Sequence, residues 1–299
     1  MSRTLTDAQV AEIAQQHERA RLTVMSIAGP SLTYPDMNLD DAYANQQAWI
    51  DLQIANGASL VGRKIGLTSR AMQQQMQINE PDFGALLDYM IMPDGVDLRT
   101  ADYLDPKLEV EIAFVLKERL SGDRLTIIDV LRATEYVQPA FELIDARSRR
   151  VDPITKKART ITDTISDNAA DAGVILGGRP MRPDDLDLRW AGAILSVNGV
   201  VEETGLAAGV LGHPAAGIAW LARRLAPHDL AVEPGHIILS GSFTRAVTAR
   251  VGDTFTADYG PMGTVSCHFR GPNKDEVLAL RGANAIGEIP SDTGPAALA

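Results

Sequence analysis

The segment Leu108-Glu109-Val110-Glu111-Ile112-Ala113-Phe114 decides how this chain is to be read. Successive side chains of a strand point to opposite faces, so Leu108, Val110, Ile112 and Phe114 share one apolar face, while Glu109 and Glu111 share the other with Ala113 and Val115. Two readings stand. The strand is amphipathic with its glutamates in water, or the glutamates look into a closed site, as the abrupt return to apolar residues on their face suggests. A third carboxylate, Glu142, sits in Ala140-Phe141-Glu142-Leu143-Ile144 with apolar neighbours on both sides. Burying an unpaired carboxylate costs several kcal/mol, so such a group usually finds a cation. Three carboxylates with no His or Cys nearby select a hard divalent ion, Mg2+ or Mn2+, with water at the open positions.

Short apolar runs punctuated by Gly, Pro, Asp and Asn continue on both sides of this strand from Leu60 onward, the texture of a strand-rich domain. Val137 to Ile144, Val174-Ile175-Leu176, Ile237-Ile238-Leu239, Thr254 to Ala257 and Thr264 to Phe269 are further strands. One clear helix interrupts them, opened by His213-Pro214 and closed by Arg223-Arg224. Before Leu60 the pattern is helical. Thr6-Asp7-Ala8-Gln9 has the spacing of a capping box, and a second helix runs from about Asp40 to a stop at Gly57. The class is therefore α+β. Residues 1–58 form a small N-terminal helical region, residues 59–270 a β-rich domain, and residues 271–299, rich in Gly, Ala, Pro and charge, a loosely attached tail.

Composition narrows the function. The chain has 299 residues, 45% of them hydrophobic, with a net charge of −11, so it has the material for a large core and a surface that repels phosphate backbones. Nucleic acid is excluded as a partner. The lone Cys267 forms no internal disulfide or thiolate cluster, and a small apolar core residue is its expected place. No signal-like stretch and no run of about 18 apolar residues is present, so no membrane partner is expected and the cytoplasm is the expected compartment. Motifs for nucleotide binding, for zinc hydrolysis and for the serine-nucleophile elbow are absent.

Other candidates have two readings each. Gly62-Arg63-Lys64-Ile65-Gly66 is a surface strand with solvated charge, or it aims Lys64 into a pocket where desolvation would lower its pKa and suit it to proton transfer. Asp82, in Glu80-Pro81-Asp82-Phe83-Gly84, is a turn residue or part of the same pocket. Ser166-Asp167-Asn168 is a polar turn before the Val174 strand.

Seven segments in order then resemble one family over about residues 39 to 269: GRKIGLTS (62–69), EPDFGALLD (80–88), LEVEIAFVL (108–116), PAFELIDAR (139–147), ISDNAADAGVILGG (165–178), VEETGLAAGVLGHPA (201–215) and IILSGSFTR (237–245). This is similar to the hydratase and decarboxylase branch of the fumarylacetoacetate-hydrolase superfamily. The resemblance implies a rolled, mixed β-sheet with a divalent metal in its mouth on Glu109, Glu111 and Glu142. It places Lys64 and Asp82 as catalytic groups, Ser166 beside the substrate, and a homo-oligomer as the working form. The implied activity is hydration of an unsaturated 2-oxo dicarboxylic acid, a small-molecule substrate. Decarboxylation of a 2-oxo acid and hydration of a monocarboxylic 2-hydroxydienoate are the alternatives at the same site. Carbon–carbon hydrolysis lacks its water-activating histidine, since His17 falls in a predicted helix. A non-catalytic keto-acid-binding protein is disfavoured by the three carboxylates together with Lys64. A diacid also needs a cation for its second carboxylate. Arg245, directly after the Ile237–Leu239 strand and its turn, is the first candidate, with Arg70 and Arg147 as rivals.

Overall fold

The computed structural model describes residues 2–271; the tail expected over 271–299 lies outside them but for Gly271. Helix α1 (Asp7–Thr23) starts on the Thr6–Gln9 capping box, a four-residue turn of helix α2 (Pro30–Thr33) follows, and α3 (Leu39–Ala55) starts on a second capping box made by Asn38 and Asp41. Helices α1 and α3 pack on each other through Val10, Ile13 and Ala14 on one side and Ala42, Trp49 and Ile50 on the other.

Strand β1 (Leu60–Gly66) leads through the short helix α4 (Arg70–Gln75) to β2 (Asp82–Leu87), β3 (Ile91–Pro93) and β4 (Val96–Arg99). The long hairpin of β5 (Lys107–Leu116) and β6 (Thr134–Ile144) carries helix α5 (Ile127–Ala133) at its turn, and α6 (Ile161–Ser166) precedes β7 (Asp171–Leu176). The rest comprises β8 (Gly192–Val197), β9 (Val200–Leu206), α7 (Pro214–Leu225), β10 (Ile237–Leu239), β11 (Val247–Thr248), β12 (Thr254–Asp258) and β13 (Thr264–Arg270). More helix interrupts the strands than the sequence suggests. Thr126 with Asp129 and Thr160 with Asp163 form capping boxes for α5 and α6, but both helices are short and rich in β-branched residues, which blurs their periodicity.

The strands make two mixed sheets. One has eight strands in the order β2-β1-β10-β5-β6-β7-β3, with β11 on β5, and the other runs β4-β13-β12-β8-β9. Parallel pairs β1/β10, β3/β7 and β4/β13 sit among antiparallel ones. The main core lies between the sheets and under α7: Leu108, Val110, Ile112 and Phe114 of β5 join Phe141, Leu143, Phe255, Val265 and Phe269. Cys267 is among them, a free buried thiol in the expected core position. The opposite face of the larger sheet holds a smaller apolar group, Leu86, Ala113, Ala140, Val174 and Leu239. That face also carries the two glutamates of β5. No helix among the described residues is long and apolar enough to cross a membrane.

Candidate metal centre and active site

Strand register gathers the charged groups. In the β5–β6 hairpin Glu109 lies directly opposite Glu142, and Glu111 is two residues along on the same face. Like charges directly opposite one another destabilise a sheet, so this pairing needs a positive charge between the strands. One oxygen from each of Glu109, Glu111 and Glu142 lies within 4.8 Å of the others. Glu111 and Glu142 are buried and Glu109 half-buried. Burial, followed by the neighbouring charge of Glu142, pushes the Glu109 carboxyl up to about 8. The same two causes, with Glu109 adding to them, push Glu111 well above the carboxylate range, although the Gly241 N–H donates to Glu111 Oε2 at 2.7 Å.

Lys64 reaches this face from β1, on the same side as its partners Gly84 and Leu239. Its Nζ lies 3.1 Å from Glu142 Oε1, an ion pair off the hydrogen-bonding line. Burial pulls the Lys64 pKa down, as expected, but Glu142, Asp82, Asp171 and Glu109 together push it above the ordinary lysine value. This corrects the expectation of a lowered pKa: Lys64 is held as an ammonium. Asp82 of β2 sits directly opposite Gly66 of β1, and a Cβ on Gly66 would overlap Asp82 Oδ1 and come within 3.3 Å of Lys64 Nζ. A glycine is therefore required where the acid and the amine converge. Asp82 Oδ1 has no hydrogen-bond partner, and burial holds the carboxyl above its usual range despite the opposing Lys64 charge.

The fit to a metal follows from these atoms. Glu111 Oε1 and Glu142 Oε1 are buried without a hydrogen bond, and the ammonium of Lys64 must serve several carboxylates at once. Three oxygen donors with spare lone pairs and no sulfur or imidazole suit a hard divalent cation. The residues present fit such an ion. Tyr259 holds the frame behind them, its hydroxyl against the carbonyls of Glu111 at 2.7 Å and Ala140 at 2.9 Å, one on each strand.

The structure brings Lys64, Asp82, Glu109, Glu111 and Glu142 together. Ser166 closes α6, fully buried, and its hydroxyl accepts from Asn45 Nδ2 at 3.0 Å. Arg70 is exposed in the first turn of α4. Arg245 is exposed and paired with Glu203 of β9, and Arg147 is buried and paired with Asp167. None of the three arginines ion-pairs with the acidic cluster among the described residues. Sequence reasoning missed Asp171, fully buried at the start of β7, whose carboxyl is raised by burial and by Glu142 and lowered by Lys64. Its position after a polar turn gave no sign that it faces the cluster.

The chain is 58% identical over 257 residues, 86% of its length and 96% of the relative's, to 2-oxo-hept-4-ene-1,7-dioate hydratase of Escherichia coli. It belongs to the fumarylacetoacetate-hydrolase superfamily, in the hydratase and decarboxylase branch. Another member of that branch, 4-oxalocrotonate decarboxylase of Pseudomonas sp. (strain CF600), is 39% identical over 269 residues, 90% of this chain and 100% of that one. The superfamily fold is seen in the solved 4-oxalocrotonate decarboxylase from Pseudomonas putida G7, complexed with magnesium and adipate, which aligns with a TM-score of 0.85 at 36% identity, covering 90% of this chain and 100% of that chain. No family model matches the chain.

Proposed function

We propose that this chain is a divalent-metal-dependent hydratase that adds water to 2-oxohept-4-ene-1,7-dioate to give 4-hydroxy-2-oxoheptane-1,7-dioate, using Mg2+, with Mn2+ as a substitute. The observation that carries the reading is the buried set Glu109, Glu111 and Glu142 beside Lys64, in a chain matched along nearly the whole length of the Escherichia coli hydratase.

Glu109, Glu111 and Glu142 would hold a divalent ion, which when bound would supply Lewis acidity to a 2-oxo acid substrate. Proton movement falls to Asp82 and Lys64. Shifting the C4=C5 double bond into conjugation takes a proton from C3 and returns one to C5. Water addition then forms a C4–O bond, releases a proton from the water and returns one to C3, for a net gain of one water. Asp82, with a free Oδ1 and a carboxyl raised by burial, suits the accepting role; Lys64, held as an ammonium, suits donation and the holding of negative charge at the C2 oxygen. The second carboxylate of the diacid falls to Arg245, which would exchange Glu203 for it, or to Arg70, which has no ion-pair partner among the described residues. Ser166 borders the site through the turn that follows it.

Exposed Trp190, Ile194 and Leu206 around β8 and β9 support a homo-oligomer as the working form, and the compartment of a small-molecule metabolic enzyme with one buried free cysteine is the cytoplasm. The relatedness to 4-oxalocrotonate decarboxylases favours one second reading, loss of CO2 from a 2-oxo diacid through the same charge-stabilised state. Incubating the metal-loaded protein with the 2-hydroxy-2,4-dienoate form of the substrate separates the two. Loss of the dienoate absorbance with a product heavier by one water supports hydration; a product lighter by CO2 overturns it.

A further inference from the structure

Ahead of β7, three consecutive residues, Asn168, Ala169 and Ala170, have left-handed backbone angles, with φ of 50°, 51° and 62°. None is glycine, and two are alanines, so the turn exists only because its surroundings hold it. The Asp167 carboxylate accepts from the backbone N–H of Arg147 at 2.6 Å and of Ser148 at 3.2 Å, and it pairs with the Arg147 guanidinium. Arg147 Nη2 in turn donates to the carbonyls of Asp167 at 2.7 Å and Asp171 at 3.2 Å, one on each side of the turn. The Arg147 side chain is buried over the Trp49 ring, which leaves it little freedom to release these bonds.

The turn aims Asn168 at β2, the terminal strand of the eight-stranded sheet. Asn168 Oδ1 accepts from the Ala85 N–H at 2.8 Å, and Asn168 Nδ2 donates to the Ala85 carbonyl at 2.9 Å. One carboxamide thus satisfies both outward backbone groups of an edge residue, as a neighbouring strand would. It ties β2 to the segment entering β7 and closes the roll across the gap between them. The turn also meets the catalytic lysine. A Cβ on Gly84 would lie 2.7 Å from the Asn168 carbonyl oxygen and 3.3 Å from Lys64 Cγ, so the turn, the glycine and the lysine stem converge at one point.

We propose that Asn168 is a positioning residue for Lys64: its carboxamide closes the roll on Ala85, and its left-handed backbone forms the wall that keeps the Lys64 stem directed at Glu142. This rests on the reading of Lys64 as the proton-handling group of a hydratase. The experiment compares wild type with Asn168→Ala and Asn168→Gly; the glycine variant keeps the backbone freedom and removes only the carboxamide. Four quantities are read: kcat, KM, Mg2+ affinity by calorimetry, and the acetylation rate of Lys64 by mass spectrometry relative to Lys107. The expected result is a kcat lower by about tenfold or more, with KM and Mg2+ affinity within about twofold and faster acetylation of Lys64. Asn168→Asp, which keeps the left-handed preference and the acceptor for Ala85 N–H, should recover part of the loss. Wild-type kcat and acetylation in Asn168→Gly would overturn the proposal, and so would a parallel collapse of Mg2+ affinity, which would mark a general structural role. The acetylation rate needs no substrate, so it tests the positioning even if the wild-type protein proves not to be a hydratase.

Discussion

On the covered face of the eight-stranded sheet, Glu111, Glu142, Asp82 and Lys64 are all buried, with one ammonium among the carboxylates and several oxygens lacking any hydrogen bond. Along the five-stranded sheet the charges lie at the surface in matched pairs, Arg270 of β13 with Asp97 of β4 at 2.7 Å and Glu203 of β9 with Arg245. Exposed pairs contribute little, and losing one costs little. Buried carboxylates facing each other work against folding unless something neutralises them. The contrast shows where to look for chemistry in this molecule: the buried carboxylates left short of hydrogen bonds, which the fold tolerates at a stability cost, are those of the proposed site.

The widest separation between the two regions should come from turnover. Glu109→Ala, Glu111→Ala and Glu142→Ala should each lower kcat/KM by roughly a thousandfold or more, the equivalent of several kcal/mol of lost Lewis-acid stabilisation, without unfolding the chain. Steady-state kinetics beside a thermal melt checks both halves. Lys64→Ala should lower kcat by about a hundredfold while metal affinity falls much less, because its proposed task is proton transfer. A turnover near wild type would return Lys64 to the status of a bystander. Gly66→Ala places a methyl group on Asp82 Oδ1 and should lower turnover by about tenfold, the acid being displaced from its position beside Lys64.

A pH titration sharpens the comparison further. The folded metal-free protein keeps a proton on Glu109 up to about 8, whereas an unfolded glutamate releases it near its ordinary value of 4.5. Between those limits the folded state binds more protons, so stability in chelator should fall as pH rises through the window. Metal binding displaces the same proton, so added Mg2+ should raise the melting temperature more at the alkaline end. A melting temperature in chelator that climbs across the window would contradict the raised pKa. The smallest stability effect belongs to the surface pair. Arg245→Leu should scarcely move the melting temperature. If Arg245 holds the second carboxylate, kcat/KM for the diacid should fall roughly ten- to a hundredfold with a monocarboxylic dienoate unaffected, and a loss on neither substrate would transfer the role to Arg70.

Much of this contrast was legible in the sequence because it is periodic. Alternation in Leu108 to Phe114 put Glu109 and Glu111 on one face, and the apolar flanks of Glu142 marked it as buried. The two N-terminal helices were legible for the same reason, from caps and spacing that act within a few residues. What depends on distant strands was not. Burial alone suggested a lowered Lys64 pKa, but the decisive charges come from β2, β5, β6 and β7, and only the fold sums them. Asp171 and the glycines at 66 and 84 gain their meaning from what packs against them. Arg245 was nominated from its place directly after the Ile237–Leu239 strand and its turn, but its pairing with Glu203 links residues far apart in the chain and left no local sign.

Whether the buried glutamates form a divalent-metal site is open to direct measurement. Calorimetric titration of the purified chain with Mg2+ and Mn2+, in wild type and in Glu142→Ala, tests it directly. The expected result is one ion bound per chain in wild type, more tightly as pH rises, and no measurable binding in the variant. Binding of equal affinity in both proteins, or none in wild type at any pH at which it remains folded, would contradict it.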